Sequence, residues 1–599
     1  MDSRTAAHVL SEIAGLLELR AENRFKSRAY RAAAGAVLAL DTDDLSPMLR
    51  SGEIANIGGI GPATLSVLSD LIENGDSRYL AQLRENTPEG VLDMMRVPGL
   101  GPAKLQLVYE KLGVATLDEL EAAARDGRLA TLKGFGPKTV EKLVEAIAFT
   151  RRTGSLVRFH QAYAEAQRLL ASVRRHPDVV VAEIAGSLRR HREVVRDLDI
   201  VAAVSTAPAE VAASFARLPG VRAATLAGGS AAITFLDGTI LDLYCVPPNA
   251  FTLTLWRETG SEPHVAEMGE RLARRGYALD QYHVRDADGR AVPLPEERAL
   301  YALADLAYVP PELREGMGEL GAAADGTMPH LLAAQDIRGV LHCHTRYSDG
   351  DATIAEMAQA ARARGWRYLG ISDHSQSAFY AGGLEPDAVA RQHDEIDALN
   401  AASSDFRILK GIEADILPSG QLDYDDDTLD RFDYVIGSVH SRFRMGESEM
   451  TARILAALDD PRLTVLGHPT GRLLLTREPY AVDMEAVIAK AADVHAAIEL
   501  NADPRRLDLD WRLCREAKRR GVTIEIGPDA HSTQGLDNVA IGVGIARKGW
   551  LEATDILNAR SADDVLAFAA TRRHSGGHHP TLPRRAAARP RPAEPELPF

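Results

Sequence analysis

The sequence predicts a multidomain protein with three parts: an all-α N-terminal region, an α+β middle domain and a C-terminal parallel β/α barrel. Three observations predict it. A glycine-rich turn leading into an amphipathic helix recurs three times in the first 150 residues. Short β-rich segments bounded by Gly, Pro or Asp-Gly turns take over from about residue 155. Beyond about residue 330, seven strand-like runs alternate with helical ones, which is the pattern of a parallel sheet. At roughly 150 residues per domain, 599 residues hold several cores, and a single small binding module is excluded.

In the first part, SEIAGLLELR and AYRAAAGAVLAL carry apolar residues at helical spacing. The repeated turns are Ile57-Gly-Gly-Ile-Gly61-Pro62, Val97-Pro-Gly-Leu-Gly101-Pro102 and Leu132-Lys-Gly-Phe-Gly136-Pro137. A Gly-hydrophobic-Gly turn leaves backbone N–H groups unpaired at a helix N-terminus and lets a phosphate approach them closely. One copy reads best as a tight turn with Pro at the first helical position. Three copies favour sequence-independent phosphate contacts, made by Gly59, Gly61, Gly99, Gly101, Gly134 and Gly136, with Lys104 and Lys138 adding cations.

In the second part, Asp197 and Asp199 flank Leu198 in a strand-like run, so a period of two puts both carboxylates on one face. Asp242 interrupts a second apolar strand, ILDLYCV. Each alone reads as a strand-end turn residue. Converging, the three form a hard-oxygen set for two Mg²⁺ or Mn²⁺ ions and in-line phosphoryl transfer. Just upstream, the Gly186-Ser187 turn with Arg190 suits the β- and γ-phosphates of a nucleotide.

In the third part, His342, His344, Asp349, His374, Glu413, His440, His468, Asp529 and His531 lie at or just beyond the ends of six of the seven strand-like runs. Barrel folds build their active sites at these strand ends. A nitrogen and oxygen set without thiolate suits Mn²⁺ or Zn²⁺, and so many ligands call for two or three ions. Cys343 is expected to point away from them.

Composition bounds the setting. Three scattered cysteines support neither a disulfide framework nor a cysteine zinc cluster, which fits a reducing compartment. No run reaches the roughly 18 apolar residues of a membrane span, and the N-terminal stretch lacks the pattern of an export signal. The net charge of −16 falls mainly in residues 331–570, which hold 26 basic and 39 acidic residues, whereas residues 151–196 carry ten arginines against four acids. The acidic balance therefore excludes a uniformly basic DNA-coating protein but not an enzyme with local DNA contacts.

The three turns resemble helix-hairpin-helix DNA-binding motifs. The spacing from Gly186-Ser187 to Asp197 and Asp199 resembles the nucleotidyltransferase signature, and Thr259-Gly260-Ser261 stands where family X DNA polymerases carry a nucleotide-contacting TGS motif. Residues 295–316 resemble the end of that family's thumb, and the histidine and acid set resembles the polymerase and histidinol phosphatase (PHP) family. The sequence is identified as a member of the bacterial family X polymerases with a C-terminal PHP domain.

That resemblance implies an N-terminal helical domain over 1–90, a fingers-like hairpin region over 91–150, a nucleotidyltransferase palm over 151–250 and a thumb over 251–317. It further implies a linker over 318–335, a distorted (β/α)7 PHP barrel over 336–570 and a disordered Arg/Pro-rich tail over 571–599. The implied activity is gap-filling DNA synthesis in repair, with 3′-5′ exonuclease and 3′-end or abasic-site processing in the barrel. Gapped or nicked DNA, DNA 3′ ends and dNTPs are the implied partners, with other repair proteins such as a ligase. A cytoplasmic, nucleoid-associated monomer without membrane contact is expected.

The sequence departs from the family pattern at four places. Val67 stands where lyase-competent members carry a lysine, His191 and Arg196 stand where glycine is common, and Trp256-Arg257-Glu258 replaces an aromatic pair. Two other readings remain open: a small-molecule phosphoesterase of the histidinol-phosphatase type, and a DNA-binding scaffold with a degenerate polymerase half.

Overall fold

The computed structural model describes residues 3–574, except 20–23, 41, 43, 75–76, 86–88, 96 and 219. The chain divides into two compact units, one running to Met328 and including Leu474–Thr476, the other starting at Pro329. No helix among the described residues is long and apolar enough to cross a membrane.

The first 150 residues are helical and hold two separate cores. One gathers Leu10, Ile13, Leu17, Val37, Leu68 and Leu71; the other gathers Val91, Leu105, Val108, Leu120, Leu143 and Ile147. In the three hairpins Gly59, Gly99 and Gly134 adopt φ of 96°, 84° and 92°. Each turn is closed by the same backbone bond, from Ile60 to Ile57, Leu100 to Val97 and Phe135 to Leu132. Side chains disfavour that φ, so glycine recurs there.

The α+β domain is built on a five-stranded sheet: β1 (Val179–Ile184), β2 (Leu198–Val204), β3 (Val221–Ala227), β4 (Ser230–Phe235) and β5 (Ile240–Val246). Their order is β1-β2-β5-β4-β3. The central pair, β2 and β5, is parallel with Asp199 opposite Asp242, and the other pairs are antiparallel. Ile200 to Val204 are all buried, as a strand covered on both faces requires.

The thumb follows, stitched by buried polar groups. The Trp256 indole N–H donates to the Tyr301 hydroxyl (3.1 Å), which also meets His264 Nε2 (3.0 Å), while His264 Nδ1 faces Glu319 Oε1 (2.6 Å). This chain corrects the expected linker at 318–335. Glu319–Ala324 is a helix whose Glu319 is buried and also accepts from the Gly316 and Met317 amides. A buried carboxylate needs such donors, and they tie residues 318–324 into the thumb.

The second unit contains β6 (Gly339–Val340), β7 (Tyr368–Ile371), β8 (Arg407–Asp415), β9 (Tyr434–Ser438), β10 (Leu463–Leu466), β11 (Ala497–Glu499) and β12 (Ile524–Glu525). All seven are parallel and stand in chain order, with helices in the connections. A parallel bridge between Cys343 and Ala530, just past β6 and β12, brings the two ends of the sheet together as a distorted barrel. Gly370 and Gly411 leave room inside for the buried Tyr434 side chain, because a Cβ would lie 2.3 Å from its hydroxyl at Gly370 and 2.1 Å from its ring at Gly411.

The expected tail also begins later. Residues 571–574 belong to the last helix, Ala562–His574, and Arg572 is 3% exposed, donating to the carbonyls of Leu458, Asp460, Leu463 and Val494. Residues 575–599 lie outside the described residues.

Candidate active sites

The palm carboxylates meet as the strand register dictates. Asp199 and Asp242 face each other across β2 and β5, and Asp197 stands two residues before Asp199. Gly186, at φ 63°, lies against them: a Cβ there would sit 1.7 Å from Asp199 Oδ2, so only glycine closes the turn onto the site. Burial, then Asp197, Asp242 and Glu258, push the Asp199 carboxyl up to about 8. Burial and Asp197 raise Asp242 as well. A site that raises its own carboxylates in this way fits a divalent cation, which would take the place of the protons.

Glu258 was not singled out from the sequence. It ends the buried helix Phe251–Thr259 and stands beside Tyr244, Asp199 and Asp242, with burial raising its pKa. Its position immediately before Thr259-Gly260-Ser261 was the available signal.

Two of the expected nucleotide contacts are engaged within the protein. Thr259 is fully buried and its hydroxyl accepts from Arg189 Nη1 at 2.8 Å, so it fixes the turn rather than facing a ligand. Arg190 is committed to Glu315 through Nε (2.9 Å) and to the Thr259 carbonyl through Nη1 (2.7 Å), because thumb residues far along the chain supply acceptors. Arg189 in turn grips Glu297, which the fully buried Arg314 also holds. Ser261 caps the helix Glu262–Arg274, and Gly260 packs near Val265. Ser187 lies partly exposed in the short Gly186–Arg189 helix. The departure at His191 has a local account: its φ is 54°, a conformation glycine adopts readily, and its ring stacks on Phe159 at 4.9 Å.

Because Asp199 is protonated near neutrality without metal, loading releases a proton. Apparent Mg²⁺ affinity at the palm should rise with pH until about 8 and then level, which calorimetry across pH 6–9 would read. The sign for stability is the reverse: an acid held above its ordinary 3.8 withdraws stability as pH climbs from about 4 to about 8, and bound cation restores it.

At the hairpins all six glycines are exposed, and at Gly61, Gly99, Gly101, Gly134 and Gly136 a Cβ would meet nothing within 4 Å. The Gly61 amide, unlike the others, is taken by the Thr64 hydroxyl (2.9 Å). Lys104 lies over the Phe135 ring at 5.7 Å and Lys138 is exposed. Val67 is 3% exposed within the first core, so no amine reaches solvent there.

In the barrel all nine expected residues converge. Glu413 is the hub: its carboxylate oxygens lie 2.8 Å from His374 Nδ1, 3.0 Å from His468 Nε2, 3.3 Å from His440 Nε2, 3.5 Å from His342 Nε2 and 3.7 Å from His344 Nε2. Asp529 faces His342 and His344 at 3.7 and 3.4 Å, and Asp349 faces His374 and His531 at 3.7 and 3.4 Å. Ligand atoms fall into three overlapping groups, each within 4.8 Å: His344, Asp349, His374 and His531; His342, His344 and Asp529; and His374, Glu413 and His440.

The residues fit divalent metal. His342 Nε2, both nitrogens of His344, His374 Nδ1, Glu413 Oε2 and His468 Nδ1 are buried and make no hydrogen bond within the protein. Buried polar atoms are otherwise paired almost without exception. Burial would lower His440 and His531, yet neighbouring carboxylates hold them at about 10 and about 9. Burial would raise Glu413, but His440, His342 and His374 keep it well below its ordinary range. His468 and Asp529 take positive φ, 22° and 49°, a strain tolerated where function needs the side chain aimed. Cys343 is buried and belongs to none of the ligand groups.

Sequence reading missed the groups that aim the ligands. His342 Nδ1 meets Glu499 (2.5 Å), His440 Nδ1 meets Asp415 (2.6 Å), and Arg506 lies 3.3 Å from Asp529. Glu499 comes from β11, the one strand that supplies no ligand of its own. Replacing Glu499 by glutamine should weaken metal retention about 10- to 100-fold without unfolding the barrel, as metal content after dialysis against chelator would show.

Comparison with known proteins agrees part by part. Family profiles match at residues 1–77 (helix-hairpin-helix domain), 91–148 (SAM-like helix-hairpin-helix tandem), 254–315 (DNA polymerase beta thumb) and 341–503 (PHP domain). The DNA polymerase/3'-5' exonuclease PolX of Bacillus subtilis is 37% identical over 572 residues, covering 95% of this chain and 99% of that protein. The chain belongs to the PolX family. Its barrel sets PolX beside other PHP proteins, and probable phosphatases of Syntrophotalea carbinolica (28% over 244 residues) and Clostridium acetobutylicum (30% over 210) cover 38% and 33% of the chain. Those two alignments take in 94% and 80% of the phosphatases themselves.

Proposed function

We propose that the protein is a DNA repair polymerase that adds dNTPs to primer ends at gaps and removes nucleotides from 3′ ends in a second active site. The observation that carries this reading is the register of Asp199 against Asp242 behind the Gly186 turn, in the same chain as the imidazole-ringed Glu413. The PolX relative is named for both activities.

In the palm, Asp197, Asp199 and Asp242 would hold two divalent ions, Mg²⁺ or Mn²⁺. Such ions supply Lewis-acid stabilisation of the charge that develops during in-line transfer. The residues' own work is to converge three anions on one point, with Gly186 excluding any side chain between turn and carboxylate. Ser187 and the Gly186 turn are the surface offered to the triphosphate, while Arg189 and Arg190 hold that turn to Thr259 and Glu315. The hairpin turns, with Lys104 and Lys138, bind DNA phosphates at exposed amides other than that of Gly61.

In the barrel, the nine ligands would hold two or three ions, Mn²⁺ or Zn²⁺. Glu499 and Asp415 fix the tautomers of His342 and His440 so that Nε2 faces inward. Arg506 neutralises part of Asp529's charge and is placed to bind the scissile phosphate. The buried Val67 argues against lyase chemistry at that position, since a Schiff base needs a primary amine. Nucleoid association and work alongside a ligase follow from the same repair role.

The test is extension of a one-nucleotide-gapped duplex with all four dNTPs and Mg²⁺ or Mn²⁺. Template-matched addition supports the reading. DNA binding without addition would favour a scaffold, and faster turnover of a phosphate monoester than of a DNA 3′ end would favour a small-molecule phosphoesterase.

A further inference from the structure

Phe379 and Tyr380 are 85% and 65% exposed, and among the described residues from Pro329 onward they are the only large apolar side chains left so open. They lie edge to face, 6.2 Å apart, on a short turn at Phe379–Ala381. Loop laxity does not account for this exposure. The buried Asp423 accepts from the Ser375 hydroxyl (2.7 Å) and the Ser377 amide (2.8 Å), and its carbonyl takes the Gln376 side chain. Behind the turn, Gly383 runs so close that a Cβ would sit 2.0 Å from the Ser375 carbonyl oxygen. The turn is held, and it holds two rings out into water.

Its position is at the mouth of the metal centre. The loop leaves the barrel at the ligand His374 and returns to it, with the Leu384 amide donating to the His374 carbonyl at 2.8 Å. Gly382 packs beside Ser348, next to the ligand Asp349. The Tyr380 phenol stands within electrostatic reach of the Asp415, Glu413 and Asp349 carboxylates. On the loop that follows His440, whose ring is 5.3 Å from that of His374, Arg442 and Arg444 are exposed, with no side-chain partner among the described residues.

Exposed aromatic faces and exposed guanidinium groups, here on loops that leave neighbouring ligands, are the two elements by which proteins hold single-stranded nucleic acid, rings stacking on bases and cations following the backbone. A free phosphate monoester has no base to stack. We infer that Phe379 and Tyr380 form a base-stacking subsite that seizes the unpaired terminal nucleotides of a 3′ end and feeds the last phosphodiester to the barrel. This rests on the exonuclease reading and adds the residues that grip the end, two rings that a base can stack on and a bare phosphate ester cannot use.

The test uses the full chain loaded with Mn²⁺. kcat/KM is measured for removal of the 3′ nucleotide from a single-stranded oligonucleotide and for hydrolysis of bis(p-nitrophenyl) phosphate, in wild type and in Phe379→Ala/Tyr380→Ala. The ratio of the two values should fall about tenfold or more, mainly through KM for the oligonucleotide, and Phe379→Trp/Tyr380→Phe should keep the wild-type ratio. An unchanged ratio, whether both activities hold or both fall together, overturns the subsite. A second readout stands apart from hydrolysis: without metal, a 3′-terminal 2-aminopurine should be quenched on binding wild type and not on binding the alanine variant. Equal quenching by the two overturns the subsite, whereas quenching by wild type alone with no 3′-end hydrolysis sinks the exonuclease reading and leaves the subsite standing.

Discussion

Replacing Asp199 by alanine should cut dNTP addition to a gapped primer about a thousandfold or more while leaving 3′-end removal at the wild-type rate. Lewis-acid stabilisation of this kind contributes several kcal/mol to the transition state, and each 1.4 kcal/mol or so is a factor of ten. Asp199 has the most to lose because it is the most confined of the three acids, with Gly186 against its Oδ2, Asp242 opposite and Glu258 nearby. The same confinement makes the change benign for folding. Without metal the Asp199 carboxyl is neutral below about 8, so alanine removes a buried group that the apo fold does not need charged. Primer extension and circular dichroism together check this: activity lost, fold kept.

Glu413→Gln should have an effect of the same size on the other activity, removing 3′-end hydrolysis and lowering bound metal while gap filling persists. Glu413 is fully enclosed and is the shared neighbour of five imidazoles from four different strand ends. Glutamine preserves its volume and removes the anion, so the loss reads charge rather than packing. Two consequences separate this from simple unfolding. His440, held at about 10 chiefly by Glu413 against the pull of burial, should titrate lower in the metal-free variant, an imidazole shift that NMR would detect. Metal content should fall more at low pH than at high pH, because protons and cations compete for the same nitrogens.

Much of both sites was legible in the sequence, for a definite reason. Asp197, Asp199 and Asp242 interrupt apolar strands, and the barrel ligands each follow one, so pattern and chemistry point to the same residues. What stayed hidden depends on contacts between segments distant in the chain. Arg190 reads as a phosphate ligand, and nothing in the local sequence shows that Glu315, 125 residues away, also takes its Nε. Glu499 looks like an ordinary strand end until the parallel register brings it under His342, 157 residues away. Glu319 sits in a Gly/Ala-rich stretch that reads as a linker, and only His264 reveals that it closes the thumb. Arg572, in a basic run, reads as solvated, yet four carbonyls around the barrel bury it. Phe379 and Tyr380 leave no mark on a pattern search, because nothing in sequence distinguishes an exposed aromatic from a core one.

The central claim is that one chain carries two chemically independent active sites for opposite reactions at a DNA 3′ end. A crossed assay tests it most directly: Asp199→Ala, Glu413→Gln and the double variant are each given the same gapped duplex bearing a single-stranded or matched 3′ end, with Mn²⁺ present, and strand lengths are read with and without dNTPs. The account predicts that Asp199→Ala only shortens, Glu413→Gln only lengthens and the double variant does neither. If either single variant lost both activities, or if Glu413→Gln still shortened 3′ ends at the wild-type rate, the two-site account would be contradicted.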